Sequence, residues 1–122
     1  MALTSSTNDG KKIITSYSSN AVVVDKIEHR KSIILLPDQV ITNWQGSPHL
    51  TKANIDEIPL KGAEVIIIGT GKFTKFFDGH IFENLIAANV GYEIMDTAAA
   101  CRTYNLLASD NRAVVAALVI SE

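Results

Sequence analysis

The residues whose types and spacing could do chemistry gather between Ala63 and Asn105. An apolar run, AEVIIIG, stops at Gly69-Thr70-Gly71, and a second turn, GYEIMDT, opens onto AAACRTYN. Glycines at the end of a strand let backbone N–H groups converge on an anion, so Gly69 to Gly71 is a candidate phosphate or small-anion loop. The nucleotide patterns fail at specific positions. A P-loop needs Ser or Thr after Gly71-Lys72, where this chain has Phe73, and the dinucleotide fingerprint needs a third glycine where it has Thr74. Two readings stand: a turn that uses glycine for its backbone freedom, or a site for a small anion.

Cys101 falls one turn into the helical segment that begins near Thr97, where the helix N-terminus could lower a thiol pKa. A nucleophile also needs a base, and His29, His49 and His80 are all remote in sequence. The competing reading is a small buried hydrophobe flanked by alanines. Arg102, Thr103, Tyr104 and Asn105 form a polar run in an otherwise Ala/Leu segment. At helical spacing Cys101 and Asn105 share one face and Arg102 shares another with Leu106, so the run cannot all be core. Arg102 is placed to reach Asp96, Glu93 or the Gly69–Gly71 edge, either as an internal ion pair or as part of a binding site. No two histidines stand at ligand spacing and no zincin motif is present, so no metal site is expected.

These residues need elements to hold them. Val65, Ile66, Ile67 and Ile68 are consecutive and β-branched, which predicts a strand buried on both faces. Tyr92–Met95 reads as the next strand and Thr97 to about Ser109 as a long helix, with Asp96 or Thr97 as its cap. Val114–Ile120 is a final apolar strand. Between them, His80–Asn89 is helical in pattern, with Ile81, Phe82, Leu85, Ile86 and Ala88 on its apolar face and Gly91 as its stop. Lys72–Gly79 is a loop bearing Phe73, Phe76 and Phe77, which makes it a lid or an apolar surface offered to a partner.

Upstream, Ala21–Val24 is a strand ended by Asp25 and Lys26. Ile27–Leu36 is strand-like in its second half, with Glu28 to Lys31 fitting a hairpin or an exposed strand start, and Pro37-Asp38 breaks it. Val40, Ile41 and Trp44 form a short extended piece in which Trp44 anchors the front hairpin. Thr51 caps a short helix that turns Ile55 and Ile58 inward and stops at Pro59. Helical crossovers between strands imply an α/β domain around a mixed central sheet, with a β-rich N-terminal third.

At 122 residues the chain is long enough for one domain with its own core. Residues 1–11 are expected to be a disordered tail and 12–122 a single domain. The net charge of −2 and scattered basic residues lack the stripe that nucleic acid requires. One cysteine excludes an internal disulfide and suits a reducing compartment. The N-terminus has no apolar signal region and no run approaches a bilayer span, so the expected location is the cytoplasm.

The order and spacing of GTG at Gly69–Gly71, GYEIMDT at Gly91–Thr97, AACRTYNLL at Ala99–Leu107 and RAVVAAL at Arg112–Leu118 resemble the Mth-type domain family. Its members include mitochondrial complex I assembly factor 3 and the adipogenesis-associated Mth-domain protein. LLP at Leu35–Pro37 followed by VITNW at Val40–Trp44 belongs to the same pattern, and the resemblance runs from about Tyr17 to Ile120. It implies a three-layer α/β domain without a known cofactor or established catalytic residues. Carried over by position, the characteristic residues are Gly69, Thr70, Gly71, Glu93, Asp96, Thr97, Arg102, Thr103, Tyr104 and Asn105. Where relatives often carry proline before the helix after GTG, this chain has Asp78-Gly79-His80. The resemblance implies a non-catalytic protein-binding or assembly module, with a protein partner in or near a membrane complex and a place at the inner membrane held through that partner. The alternative is a small-molecule or anion-binding enzyme or sensor built on the GTG turn and the Asp96–Arg102 helix start.

Overall fold

The apolar run at Val65–Gly69 becomes a central strand, and its alternation explains the layering of the molecule. Ile67 points to one face and Ile66 and Ile68 to the other, and all three are buried. The computed structural model describes residues 11–18 and 20–120; the tail expected over the first residues lies almost wholly outside them. In chain order the strands are β1 (Ile14–Tyr17), β2 (Val22–Val24), β3 (Ile27–His29), β4 (Ile33–Leu36), β5 (Gln39–Ile41), β6 (Val65–Gly69), β7 (Gly91–Met95) and β8 (Val114–Leu118). The helices are α1 (Lys52–Asp56), α2 (Glu83–Ala87), entered through a 3₁₀ turn at Gly79–Phe82, and α3 (Thr97–Ser109).

Five strands form a mixed sheet in the order β5-β4-β8-β6-β7. β6 pairs in parallel with both β7 and β8, while β4 runs antiparallel to β5 and β8. β1, β2 and β3 form a separate antiparallel sheet. That small sheet and α3 share one face, packing Ile14, Val22, Val24, Ala100, Cys101 and Tyr104 over Ile67, Ala116 and Leu118. On the other face Ile55 of α1 and Phe82 and Leu85 of the 3₁₀–α2 unit pack over Ile66, Ile68 and Ala117. The result is the mixed-sheet α/β domain that the sequence predicts.

Local differences have local causes. Ile27–Leu36 is divided between the two sheets: β3 closes a two-residue hairpin on β2 through Asp25 and Lys26, both left-handed, and β4 then joins β8. Trp44 is fully buried and anchors α1 rather than the hairpin, its indole N–H donating to the Asn54 carbonyl at 2.9 Å. Thr51 caps α1 in a reciprocal capping box with Asn54. Asn89, not Gly91, ends α2, in the left-handed conformation (φ 59°). Gly91 instead opens β7. Ile86 and Ala88 face solvent, because the helix after the 3₁₀ turn is one short stretch that buries only Leu85. β8 ends at Leu118 rather than Ile120.

Candidate functional site

The parallel pairing of β6 with β7 and β8 brings the Gly69–Gly71 turn against the start of α3. Asp96 caps that helix, accepting the Ala99 amide at 2.9 Å. Thr97 has a different task. Its hydroxyl accepts the Gly71 N–H at 2.8 Å and donates to the Val119 carbonyl at 2.6 Å, while its own N–H donates to the Gly71 carbonyl at 2.9 Å. Thr70 donates its N–H to the Met95 carbonyl at 2.9 Å, and its hydroxyl reaches the Phe73 carbonyl at 2.5 Å. Both threonines are fully buried. A Cβ on Gly69 would lie 3.0 Å from Ala100 Cβ and from Thr97, so glycine is what lets α3 approach the strand end. Gly71 sits at φ 100°, a conformation that side chains rarely adopt. The Thr70 and Gly71 amides that an anion would need are thus engaged within the chain.

The ten residues singled out in the sequence divide into separate places. Gly69, Thr70, Gly71, Asp96 and Thr97 meet at the strand ends, and Thr103 joins them from α3 by donating to Met95 Sδ at 3.4 Å. Glu93 is exposed on β7, one of the two edge strands of the sheet. Tyr104 is buried and its hydroxyl donates to the Lys12 carbonyl at 2.9 Å; burial pushes its pKa upward. Asn105 grips β1 on both sides of one residue, accepting the Ile14 N–H at 3.0 Å and donating to the Ile14 carbonyl at 2.7 Å. Arg102 makes no ion pair with Asp96 or Glu93 and instead lines an open groove of about 460 Å³ with Ile13, Tyr17, Asn105, Leu106 and Ser109. The sequence reading missed Ile13 and Tyr17 here because they lie some ninety positions from Arg102, and no local pattern connects them.

Cys101 is buried on the inward face of α3, and burial pushes its thiol up to about 12. The thiol therefore stays protonated near neutrality and is a poor nucleophile. Among the described residues no three His, Cys, Asp or Glu side chains converge to hold a metal ion.

The loop after the Gly69–Gly71 turn has the opposite character. Phe76 is 97% exposed and Phe73 66% exposed. Lys72 Nζ lies 5.6 Å from the Phe73 ring centre. Phe77 folds back instead, meeting Phe82 edge-to-face at 6.4 Å, and Phe82 in turn stacks on Tyr92 of β7 at 4.8 Å. One phenylalanine anchors the loop while two project from it.

The family described as "Protein of unknown function (DUF498/DUF598)" matches residues 14–119, which include both sheets, the strand-end turn and the phenylalanine loop. The chain belongs to this family. Mth-type domains and proteins named as complex I assembly factors fall within it. The chain is 28% identical over 113 residues to NADH dehydrogenase (ubiquinone) 1 alpha subcomplex assembly factor 3 of Xenopus tropicalis, covering 87% of this chain and 60% of that protein. It therefore spans about 60% of the length of that relative. The "13 kDa major membrane protein" of Francisella tularensis subsp. holarctica is 31% identical over 102 residues, covering 80% of this chain and 82% of its own length. A crystal structure of a Bordetella parapertussis protein superposes with a TM-score of 0.83 at 30% identity, covering 92% of this chain and 98% of that one. Among the described residues of this DUF498/DUF598 member, no helix is long and apolar enough to cross a membrane.

Proposed function

We propose that the chain is a non-catalytic protein-binding module of the assembly-factor type, and that Phe73 and Phe76, on the loop anchored by Phe77, form its partner surface. The observation that carries this reading is the exposure of two phenylalanine rings, 66% and 97%, on a loop tied at both ends to the core. Exposed aromatic rings on a supported loop match the anchors of protein interfaces, where a few aromatic residues dominate affinity. The strand-end turn supports the non-catalytic part, since its amides serve the fold and the nearby thiol is buried and protonated.

The partner is an assembling membrane complex of the respiratory type, and the chain reaches the membrane through it. Relatives named as NADH dehydrogenase assembly factors and one named as a membrane protein support that reading. The test replaces Phe73 and Phe76 together with serine and compares pull-downs from the native host. Both rings are exposed, so stability should change by no more than about 0.5 kcal/mol while the captured partners are lost. An unchanged set of partners would remove this loop as the binding surface.

A further inference from the structure

The loop borders an unpaired sheet edge. β7 ends the five-stranded sheet, and among the described residues no other strand pairs with its outer side. The Met95 carbonyl faces β6, where it accepts the Thr70 amide. Backbone groups alternate along a strand, so the N–H and C=O groups of Tyr92 and Ile94 face outward. Among the described residues nothing hydrogen-bonds to them from that side. Edges of this kind are templates for a further strand unless they are short, charged or covered. The other edges are managed in those ways: β3 and β5 have three residues each, and β1 is held through Ile14 by Asn105. β7 has five residues, pairs on one side only, and carries a single charge, Glu93.

Two contacts join this edge to the phenylalanine loop. The Thr70 hydroxyl lies 2.5 Å from the Phe73 carbonyl and 3.3 Å from that of Met95, which sets the start of the loop beside the end of β7. The Phe77–Phe82–Tyr92 contacts connect the loop to the middle of the same strand. Glu93 stands exposed at the centre of β7, and no cation of the described residues pairs with it. A second copy of the chain is the wrong occupant. The antiparallel register that pairs all five residues would set Glu93 opposite its own copy at about 4.5 Å between Cα atoms, and like charges there are destabilising.

We propose that β7 is a docking edge, to which an extended segment of a partner protein adds as a sixth strand, placing a basic side chain beside Glu93 and an apolar one against Phe73 and Phe76. Backbone pairing would hold the segment, and Glu93 and the two rings would select it. This rests on the protein-binding reading and specifies its mode.

The probe is a capped nonapeptide of alternating threonine and valine with lysine at its centre, compared with the same peptide carrying glutamate there. Binding and amide exchange are followed by NMR on the intact chain. The lysine peptide should bind about five- to tenfold tighter than the glutamate peptide and slow exchange at the Tyr92 and Ile94 amides. Glu93→Lys, a surface change that leaves the core untouched, should reverse the preference. Absence of binding at millimolar peptide, equal affinity for both peptides, or binding that leaves Tyr92 and Ile94 unchanged would each overturn the proposal. Slowed exchange that follows protein concentration without peptide would also overturn it, because a second copy would then occupy the edge. If the serine variant loses its partners and the peptide fails, only strand addition is wrong; if its partners are unchanged, the loop reading falls instead.

Discussion

Thr97 illustrates how one side chain decides what the strand-end turn can do. Its hydroxyl satisfies two buried backbone groups from different segments, the Gly71 N–H and the Val119 carbonyl. Thr97→Val keeps the shape and removes both bonds, leaving a donor and an acceptor unpaired in a buried place. That should cost about 2–4 kcal/mol in urea unfolding. A cost below about 1 kcal/mol would mean that water reaches the turn and that its amides are open to a ligand. Gly69 and Gly91 make a second comparison. A methyl on Gly69 meets Ala100 and Thr97 at 3.0 Å, whereas one on Gly91 meets nothing within 4 Å. Gly69→Ala should therefore lower the unfolding midpoint clearly, and Gly91→Ala should leave it nearly unchanged.

At the scale of elements, the legible parts were those with strong periodicity or unambiguous punctuation. Val65–Ile68, Thr97–Ser109 and the Thr51 cap are read correctly because an apolar β-branched run, an alanine-rich stretch and a threonine at the start of a short helical segment each carry their signal locally. The division of Ile27–Leu36 between two sheets was not legible, since the partner of β3 is its neighbour while β4 pairs with β8 from the other end of the chain. Arg102 shows the same limit in the candidate site. Its helical face follows from spacing, but the groove it enters is completed by Ile13 and Tyr17. Asn105, chosen as a pocket residue, makes both of its side-chain bonds to β1, a long-range contact that no local pattern announces. The phenylalanine loop was visible as a composition anomaly; that Phe77 anchors while Phe73 and Phe76 project required the position of Phe82.

The whole molecule has two cores on either side of one sheet, and the core beneath α3 contains two buried acids of weak type, Cys101 and Tyr104. Burial raises both, the thiol from 9.0 to about 12. An unfolded chain would ionise Cys101 above about pH 9, while the folded chain resists, so proton release favours unfolding as pH rises. Stability should be insensitive to this group below pH 9 and fall between there and about 12, by up to about 1.4 kcal/mol per pH unit from the thiol. Cys101→Ala should flatten that decline in alkaline urea titrations. A wild-type curve that stays level to pH 11 would show that the thiol ionises in place.

Among the described residues, the Phe73–Phe76 loop and the groove beside Leu106, which is 70% exposed, are two separate places where apolar side chains meet solvent. Site-specific photo-crosslinking in the native host compares them directly, with benzoylphenylalanine placed at position 76 in one strain and at position 106 in another. The proposed function predicts a discrete protein adduct from position 76 and none from position 106. Adducts from position 106 alone, or none from either, would contradict it.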